Sequence, residues 1–76
     1  MFTRLKRIVS FGTREEKAKT VECVINVNQI VFVRECYNRL DDTCYCVIGL
    51  TTHEEMPVNR SYNSICEMLS ENSLVI

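Results

Sequence analysis

The feature that most constrains this chain is a period-two alternation of side chains that recurs in three successive segments. Residues 21–27, 30–37 and 43–52 each place β-branched, aromatic or other apolar residues at alternate positions. That period puts successive side chains on opposite faces of a β-strand. Residues 26–29 favour a turn and residues 38–42 favour a hairpin loop, so neighbouring strands should run in opposite directions. The pattern predicts a small antiparallel sheet.

Two shorter segments can extend this sheet. The N-terminal segment mixes basic and apolar residues, which predicts either a strand with Leu5, Val9 and Phe11 on one face or a helical turn. A further short strand is predicted at residues 56–60. Because Pro57 has no backbone N–H, we expect it at a sheet edge or at the start of that strand.

The C-terminal segment has the period of an amphipathic helix, predicted over residues 61–71. Ser61 is suited to the N-cap, because its hydroxyl can accept a hydrogen bond from a backbone N–H of the first turn. The apolar stripe of this helix consists of Ile65, Cys66, Met68 and Leu69. We therefore predict an α+β fold, in which one C-terminal amphipathic helix covers a small antiparallel sheet of three to five strands.

The length of 76 residues provides room for a single domain, 1–76. We divide it into a basic N-terminal strand or arm (1–19), the antiparallel sheet (20–60), the helix (61–71) and an apolar tail (72–76). A domain this short buries only about 60% of its unfolded surface, and one helix covers one sheet face. We expect the apolar residues left uncovered to drive self-association into a homo-oligomer. They are Val31, Val33, Tyr45, Val47 and residues 74–76.

Charge is divided unevenly along the chain. Residues 1–19 carry six basic and two acidic residues, whereas residues 20–76 carry three basic and eight acidic residues. A basic segment suits phosphate, but an acidic remainder repels nucleic acid. DNA binding is therefore disfavoured. No stretch approaches the roughly 20 apolar residues that cross a bilayer, and no signal peptide is recognisable, so we expect a cytoplasmic protein with no membrane partner.

We predict that the five cysteines are free thiols that pack in the core, and that they do not bind metal or take part in catalysis. Buried free cysteines in a reducing cytoplasm behave as small apolar side chains, and we expect Cys23, Cys44, Cys46 and Cys66 between sheet and helix. The spacing Cys44-x-Cys46 is shorter than that of zinc sites and has no second pair. The only histidine, His53, lies in a charged turn. We predict no metal, no cofactor, no catalytic residue and no enzymatic activity.

The densest group of side chains able to hold a ligand lies where the predicted helix starts. It consists of Asn59, Arg60, Ser61 and Tyr62. Donors, a guanidinium and an aromatic ring there adjoin the helix N–H groups that favour anions. Arg34 or Arg39, from the hairpin of the same or a neighbouring subunit, is expected to complete this site. The alternative is a capped helix with a solvated arginine, and surface ion pairs for Arg34 and Arg39.

The order of bend, hairpin and helix start also carries a family resemblance. The positions concerned are Asn26, Ile30, Val58, Ser61 and Ile65. Over about residues 21–70 the chain resembles the small FlbD-like proteins, although its last hairpin has charged residues where that family usually has a glycine, and its basic N-terminal segment is additional. The resemblance implies a non-enzymatic regulatory or accessory protein of a bacterium or of a phage-infected bacterial host.

Two functions stay open at this point. The first is an oligomeric FlbD-like module that binds a regulatory protein partner. The alternative is a phage-encoded inhibitor that sequesters a small anionic signalling molecule of nucleotide type in pockets between subunits. Converging arginines across an interface would favour sequestration, whereas a flat apolar surface would favour a protein partner.

Overall fold

Five strands and one helix make up the computed structural model, which describes residues 2–72. The strands and the helix are β1 (Phe2–Ser10), β2 (Lys19–Asn26), β3 (Ile30–Asn38), β4 (Thr43–Leu50), β5 (Glu55–Val58) and α1 (Tyr62–Asn72). A short 3-10 turn, Val27–Gln29, joins β2 to β3. The predicted α+β class is confirmed: the sheet is antiparallel and the helix is C-terminal. Residues 74–76, part of the predicted apolar surface, lie outside the described residues.

The strands are arranged in the order β2-β1-β5-β4-β3, so the first strand lies inside the sheet. Strand β1 pairs with β2 along its length and with β5 at Arg7 and Val58. The strand alternative for the N-terminal segment is therefore right. The sheet begins at residue 2, so the predicted N-terminal strand or arm (1–19) contributes strand β1, and the sheet extends beyond the predicted range 20–60.

The predicted face of β1 is wrong in part. Leu5 and Ile8 are buried, whereas Val9 is 58% exposed and Phe11 is 43% exposed. Side chains alternate along a strand, so Leu5 faces the helix side and Ile8 faces the opposite side. Beyond Arg7 no further residue of β1 pairs with β5, and the pairing with β2 slips between Ile8 and Ser10. Val9 therefore has no close neighbour on the core side.

The place of Pro57 differs from the expectation of an edge or a strand start. Pro57 is the third residue of β5, which lies between β1 and β4. The N–H of Asn59 donates to Lys6 O at 3.0 Å, so the Asn59 nitrogen faces β1. Backbone N–H directions alternate along a strand, and the Pro57 nitrogen therefore faces β1 as well. The missing donor coincides with the short pairing of β1 with β5.

The main core lies between the sheet and the apolar stripe of α1. Its buried members are Leu5, Cys46, Ile48, Met56, Val58, Ile65 and Met68. Cys23 packs against this core and Cys66 is half-buried, but Cys44 is exposed, so the expectation that Cys44 lies under the helix is wrong. Cys44 lies in the second position of β4, near the hairpin, where the core has already ended.

A second, smaller buried region lies on the sheet face away from the helix. Ile8 and Val47 are buried there, and the Phe11 ring packs at 5.0 Å from the ring of Tyr45. The β1–β2 loop crosses this face and meets the β3–β4 hairpin, where the Asn38 Nδ2 donates to Gly12 O at 2.9 Å. The β1–β2 loop therefore covers part of the face that the helix leaves open.

This loop corrects the predicted uncovered surface. Val47 is buried, Tyr45 is half-buried, and Val33 packs against the main core because it lies on the helix side. Val31 is exposed, as expected, at 63%. It sits where the pairing of β3 with β4 slips by one residue, which turns its side chain outward.

Candidate functional site

The start of α1 has the predicted cap. The Ser64 backbone N–H donates to Ser61 Oγ at 3.2 Å, and the Ile65 N–H donates to Ser61 O at 3.1 Å. The Ser61 hydroxyl thus satisfies one of the donors that a helix leaves open at its N-terminus.

Arg60 lies just before this cap and is held by the helix. Its Nε donates to Ser64 Oγ at 2.7 Å, and its Nη1 lies 3.4 Å from Met68 Sδ. The side chain is half-buried, and none of the salt bridges among the described side chains involves it. Arg60 therefore combines a fixed position with a charge that no carboxylate of the described residues neutralises.

A groove of about 320 Å³ connects this corner with β1. Its lining consists of Arg4, Leu5, Lys6, Glu22, Asn59 and Arg60. The hydrogen bond from Asn59 N–H to Lys6 O closes one end of the groove. Because N–H directions alternate, the backbone N–H of Arg4 faces the same side of β1, past the end of β5. The groove thus offers backbone and side-chain donors together.

The groove is basic although the chain as a whole is slightly acidic. Arg4, Lys6 and Arg60 contribute positive charge, and among the described lining residues Glu22 is the only acidic one. Arg4 Nε lies 3.8 Å from Glu22 Oε1, and both side chains are largely exposed. An exposed pair of this length is weak, so an incoming anion can replace the Glu22 carboxylate at Arg4.

The structure does not bring Arg34 or Arg39 to this groove. Arg34 lies on β3, which is separated from β1 by the two strands β5 and β4, and its Nη2 donates to Glu55 Oε1 at 3.0 Å. Its guanidinium also lies 5.8 Å from the centre of the Phe32 ring. The Cys36 thiol and the Glu55 carboxylate raise the pKa of Arg34 further. Arg39 lies in the β3–β4 turn.

Arg4 and Lys6 occupy the place that was predicted for Arg34 or Arg39. Sequence reasoning missed them because nothing local indicates that β1 inserts beside β5. The available signal was their spacing: residues 4 and 6 share one face of any strand that contains both. Of the four residues predicted at the helix start, Asn59 and Arg60 line the groove and Ser61 caps the helix.

Tyr62, the fourth residue, is directed elsewhere. It does not line the groove, and it lies one helical turn before Cys66. Hydrogen bonding with the Cys66 thiol, together with the nearby thiol charge, raises the pKa of Tyr62. The predicted stacking platform at Arg60 is therefore absent from the described lining of the groove.

A second cavity, of about 530 Å³, lies between the β1–β2 loop and the β3–β4 hairpin. Arg14 Nη2 approaches Asp42 Oδ2 at 3.8 Å across this junction. The hydrogen bond from Tyr37 to Asp42, 2.7 Å long, raises the pKa of Tyr37, and burial raises that of Tyr45. The cavity lining carries charges of both signs, from Arg14, Glu15, Glu16, Lys17 and Asp41.

The thiol of Cys46 is not activated for nucleophilic attack. Burial raises the pKa of the Cys46 thiol, whereas a nucleophilic cysteine needs a lowered pKa. Within residues 2–72 no group of three or more histidine, cysteine or acidic side chains is placed to hold a metal ion. No helix in that range is long and apolar enough to span a membrane.

Comparisons with protein-family models, with curated proteins and with solved structures find no match to this chain. Functional inference therefore rests on the geometry of the sheet edges, the helix start and the basic groove.

Proposed function

We propose that this protein is a non-enzymatic binding protein that works as a homo-oligomer and acts through protein–protein contacts, as a regulatory or accessory module of the FlbD-like kind. One observation carries the proposal: large apolar side chains are exposed on both edge strands of the sheet. Those on β2 are Val21 and Val24, and those on β3 are Val31, Phe32 and Tyr37. Edge strands also offer unpaired backbone groups, which another chain can pair.

Native mass spectrometry of the purified protein, combined with sedimentation equilibrium over a wide concentration range, tests this proposal. We expect one discrete mass that is a multiple of 8.9 kDa and that gains population with concentration. A broad distribution of masses would indicate unspecific association. A single 8.9 kDa species at every concentration would refute the proposal.

A second candidate function is supported by the basic groove. We propose it as the alternative in which the protein binds a small anion of nucleotide type in this groove, whose lining includes Arg4, Lys6 and Arg60. Three basic residues with one carboxylate in a concave site favour such a ligand. A groove at the protein surface can also be closed by a neighbouring subunit, which would form the pocket between subunits.

Calorimetric titration with adenosine 5′-monophosphate and with inorganic phosphate separates this alternative from the first. Lys6→Ala and Arg60→Ala should each weaken binding about tenfold or more, as expected for a charge-assisted hydrogen bond. Lys17→Ala, in the β1–β2 loop outside the groove, is the matched control that removes one positive charge. Equal weakening by all three variants would indicate general attraction rather than a site.

A further inference from the structure

The outer edge of β2 has a regular set of backbone groups that no described strand pairs. Lys6 O faces β5, so the backbone groups of Leu5 face β2 and meet those of Cys23. By the same alternation, the N–H and C=O groups of the even-numbered residues of β2 point away from the sheet. These are Thr20, Glu22, Val24 and Asn26.

The other edge of the sheet is protected in ways that the β2 edge is not. Strand β3 contains the slip between Ile30 and Phe32 and carries the charged residues Arg34 and Glu35 at its centre. A bulge and central charges are the usual means of preventing strand addition. The outer edge of β2 has no proline and no glycine, and Glu22 is its only central charge.

The side chains of β2 are also self-complementary about Cys23. On the helix side, Val21, Cys23 and Ile25 form an apolar row, and Cys23 and Ile25 already pack against the main core while staying half-buried. A twofold axis at Cys23 places Val21 opposite Ile25 of a second copy. On the other face it places Glu22 opposite Val24, whereas an axis at Glu22 would set two carboxylates against each other.

We propose that β2 is the interface for a second copy of this chain, in an antiparallel pairing centred on Cys23 that joins two sheets into one. This inference rests on the proposed function, because it names the surface through which the protein self-associates. The second copy satisfies the open backbone groups of β2 and continues the core row of Val21, Cys23 and Ile25. The register is centred on Cys23 because an axis at Glu22 would place the two Glu22 carboxylates opposite each other.

Replacing Val24 by a basic or by an acidic residue tests the register of the proposed pairing between two copies of β2. Val24 is 59% exposed, so Val24→Lys and Val24→Glu leave the core intact. In the Cys23-centred pairing residue 24 lies opposite Glu22 of the other copy. Val24→Lys should therefore tighten the dimer and Val24→Glu should weaken it. Two symmetry-related pairs change at once, and the dissociation constant should shift about 2- to 30-fold in each direction.

Arg4 lies opposite Val24 within the same chain, and its effect must be separated from that of the interface. That contact exists in the free chain and in the dimer, so the dissociation constant from sedimentation equilibrium reports mainly the contact between copies. Val9→Lys and Val9→Glu, at an equally exposed valine on the inner strand β1, are the matched controls and should leave that constant unchanged. Val31→Lys and Val31→Glu report on the edge of β3. Thermal unfolding monitors the fold of all six variants.

Each outcome has a distinct meaning. Weakening by both Val24 variants would place the axis at Val24 and overturn the Cys23-centred register. If the Val31 variants change the dissociation constant and the Val24 variants do not, the β2 interface is overturned while the proposed function stands. A monomer at all concentrations would overturn both. As a second measurement, the amide protons of Glu22 and Val24 should exchange more slowly at high than at low protein concentration.

Discussion

Gly49 is the position at which a single methyl group gives the most informative test of the fold. A Cβ at Gly49 would lie 2.5 Å from Phe32 Cζ and nearer still to Cε1 and Cδ1 of that ring. Apolar carbons prefer separations of about 3.5–4.0 Å, so the ring must move by at least about 1 Å. The backbone of Gly49 has no positive φ, and its conformation is therefore open to alanine.

The size of the effect follows from these two facts. Displacing a packed side chain costs about 1–3 kcal/mol, while alanine for glycine at a compatible position contributes about 0.4–1 kcal/mol. Gly49→Ala should therefore lower the free energy of unfolding in the native background. In a Phe32→Ala background the ring is absent, and the same substitution should be neutral or stabilising. The coupling energy should be about 1–3 kcal/mol.

Urea unfolding followed by far-ultraviolet circular dichroism, at one fixed protein concentration, measures all four chains of this double-mutant cycle. Equal destabilisation by Gly49→Ala in both backgrounds would refute the reasoning. It would mean that the backbone of β4, and not the Phe32 ring, rejects the side chain.

Further predictions concern the caps, the turns and the thiols. Ser61→Ala should cost about 0.5–2 kcal/mol by thermal unfolding, whereas Ser61→Asp should cost little, because aspartate also caps. Gly12→Ala should cost about 1–3 kcal/mol and broaden loop resonances in nuclear magnetic resonance, since its Cβ would lie 2.5 Å from Asp41 Oδ2 and 2.9 Å from a backbone nitrogen. His53→Gly should raise the urea midpoint by an amount equivalent to up to about 1 kcal/mol, because His53 holds a φ of 71°. Burial raises the pKa of the Cys46 thiol above its ordinary value of 9.0, so the folded chain keeps this proton to a higher pH than the unfolded chain does. The stability that the buried thiol contributes is therefore complete below pH 9.0 and is lost as pH rises through the higher pKa of the folded chain. The alkaline decline in the urea midpoint should be shallower in Cys46→Ala, and an unchanged decline would assign it to other groups.

Local pattern was sufficient to predict most of the elements. Alternation indicated β2, β3 and β4, and the polar segments between them correspond to a turn and a hairpin in the structure. The cap at Ser61 was readable because capping depends on one hydroxyl and the following turn. Each of these features is decided by residues that are close in sequence.

The placement of β1 was not readable, since it depends on partners far along the chain. Its pairing with β5 joins Arg7 to Val58, and no local signal specifies that contact. Arg4 and Lys6 were absent from the predicted site for the same reason, because they come to line one groove with Arg60 only through this pairing. Val47 and Tyr45 were predicted to be uncovered because no local signal indicates that the β1–β2 loop folds over that face of the sheet.

The insertion of β1 between β2 and β5 also fixes an order of events during synthesis. Among the five strands of this sheet β1 is synthesised first, yet one of its two neighbours, β5, is synthesised last. Until Val58 emerges, the β1–β2 hairpin and the β3–β4 hairpin have no strand between them, and one edge of β1 stays open. The completed sheet is joined at this seam by the single residue pair Arg7 and Val58 and the bond from Asn59 to Lys6. We therefore expect this seam to close after both hairpins have formed and to open more readily than the longer pairings of β1 with β2 and of β3 with β4.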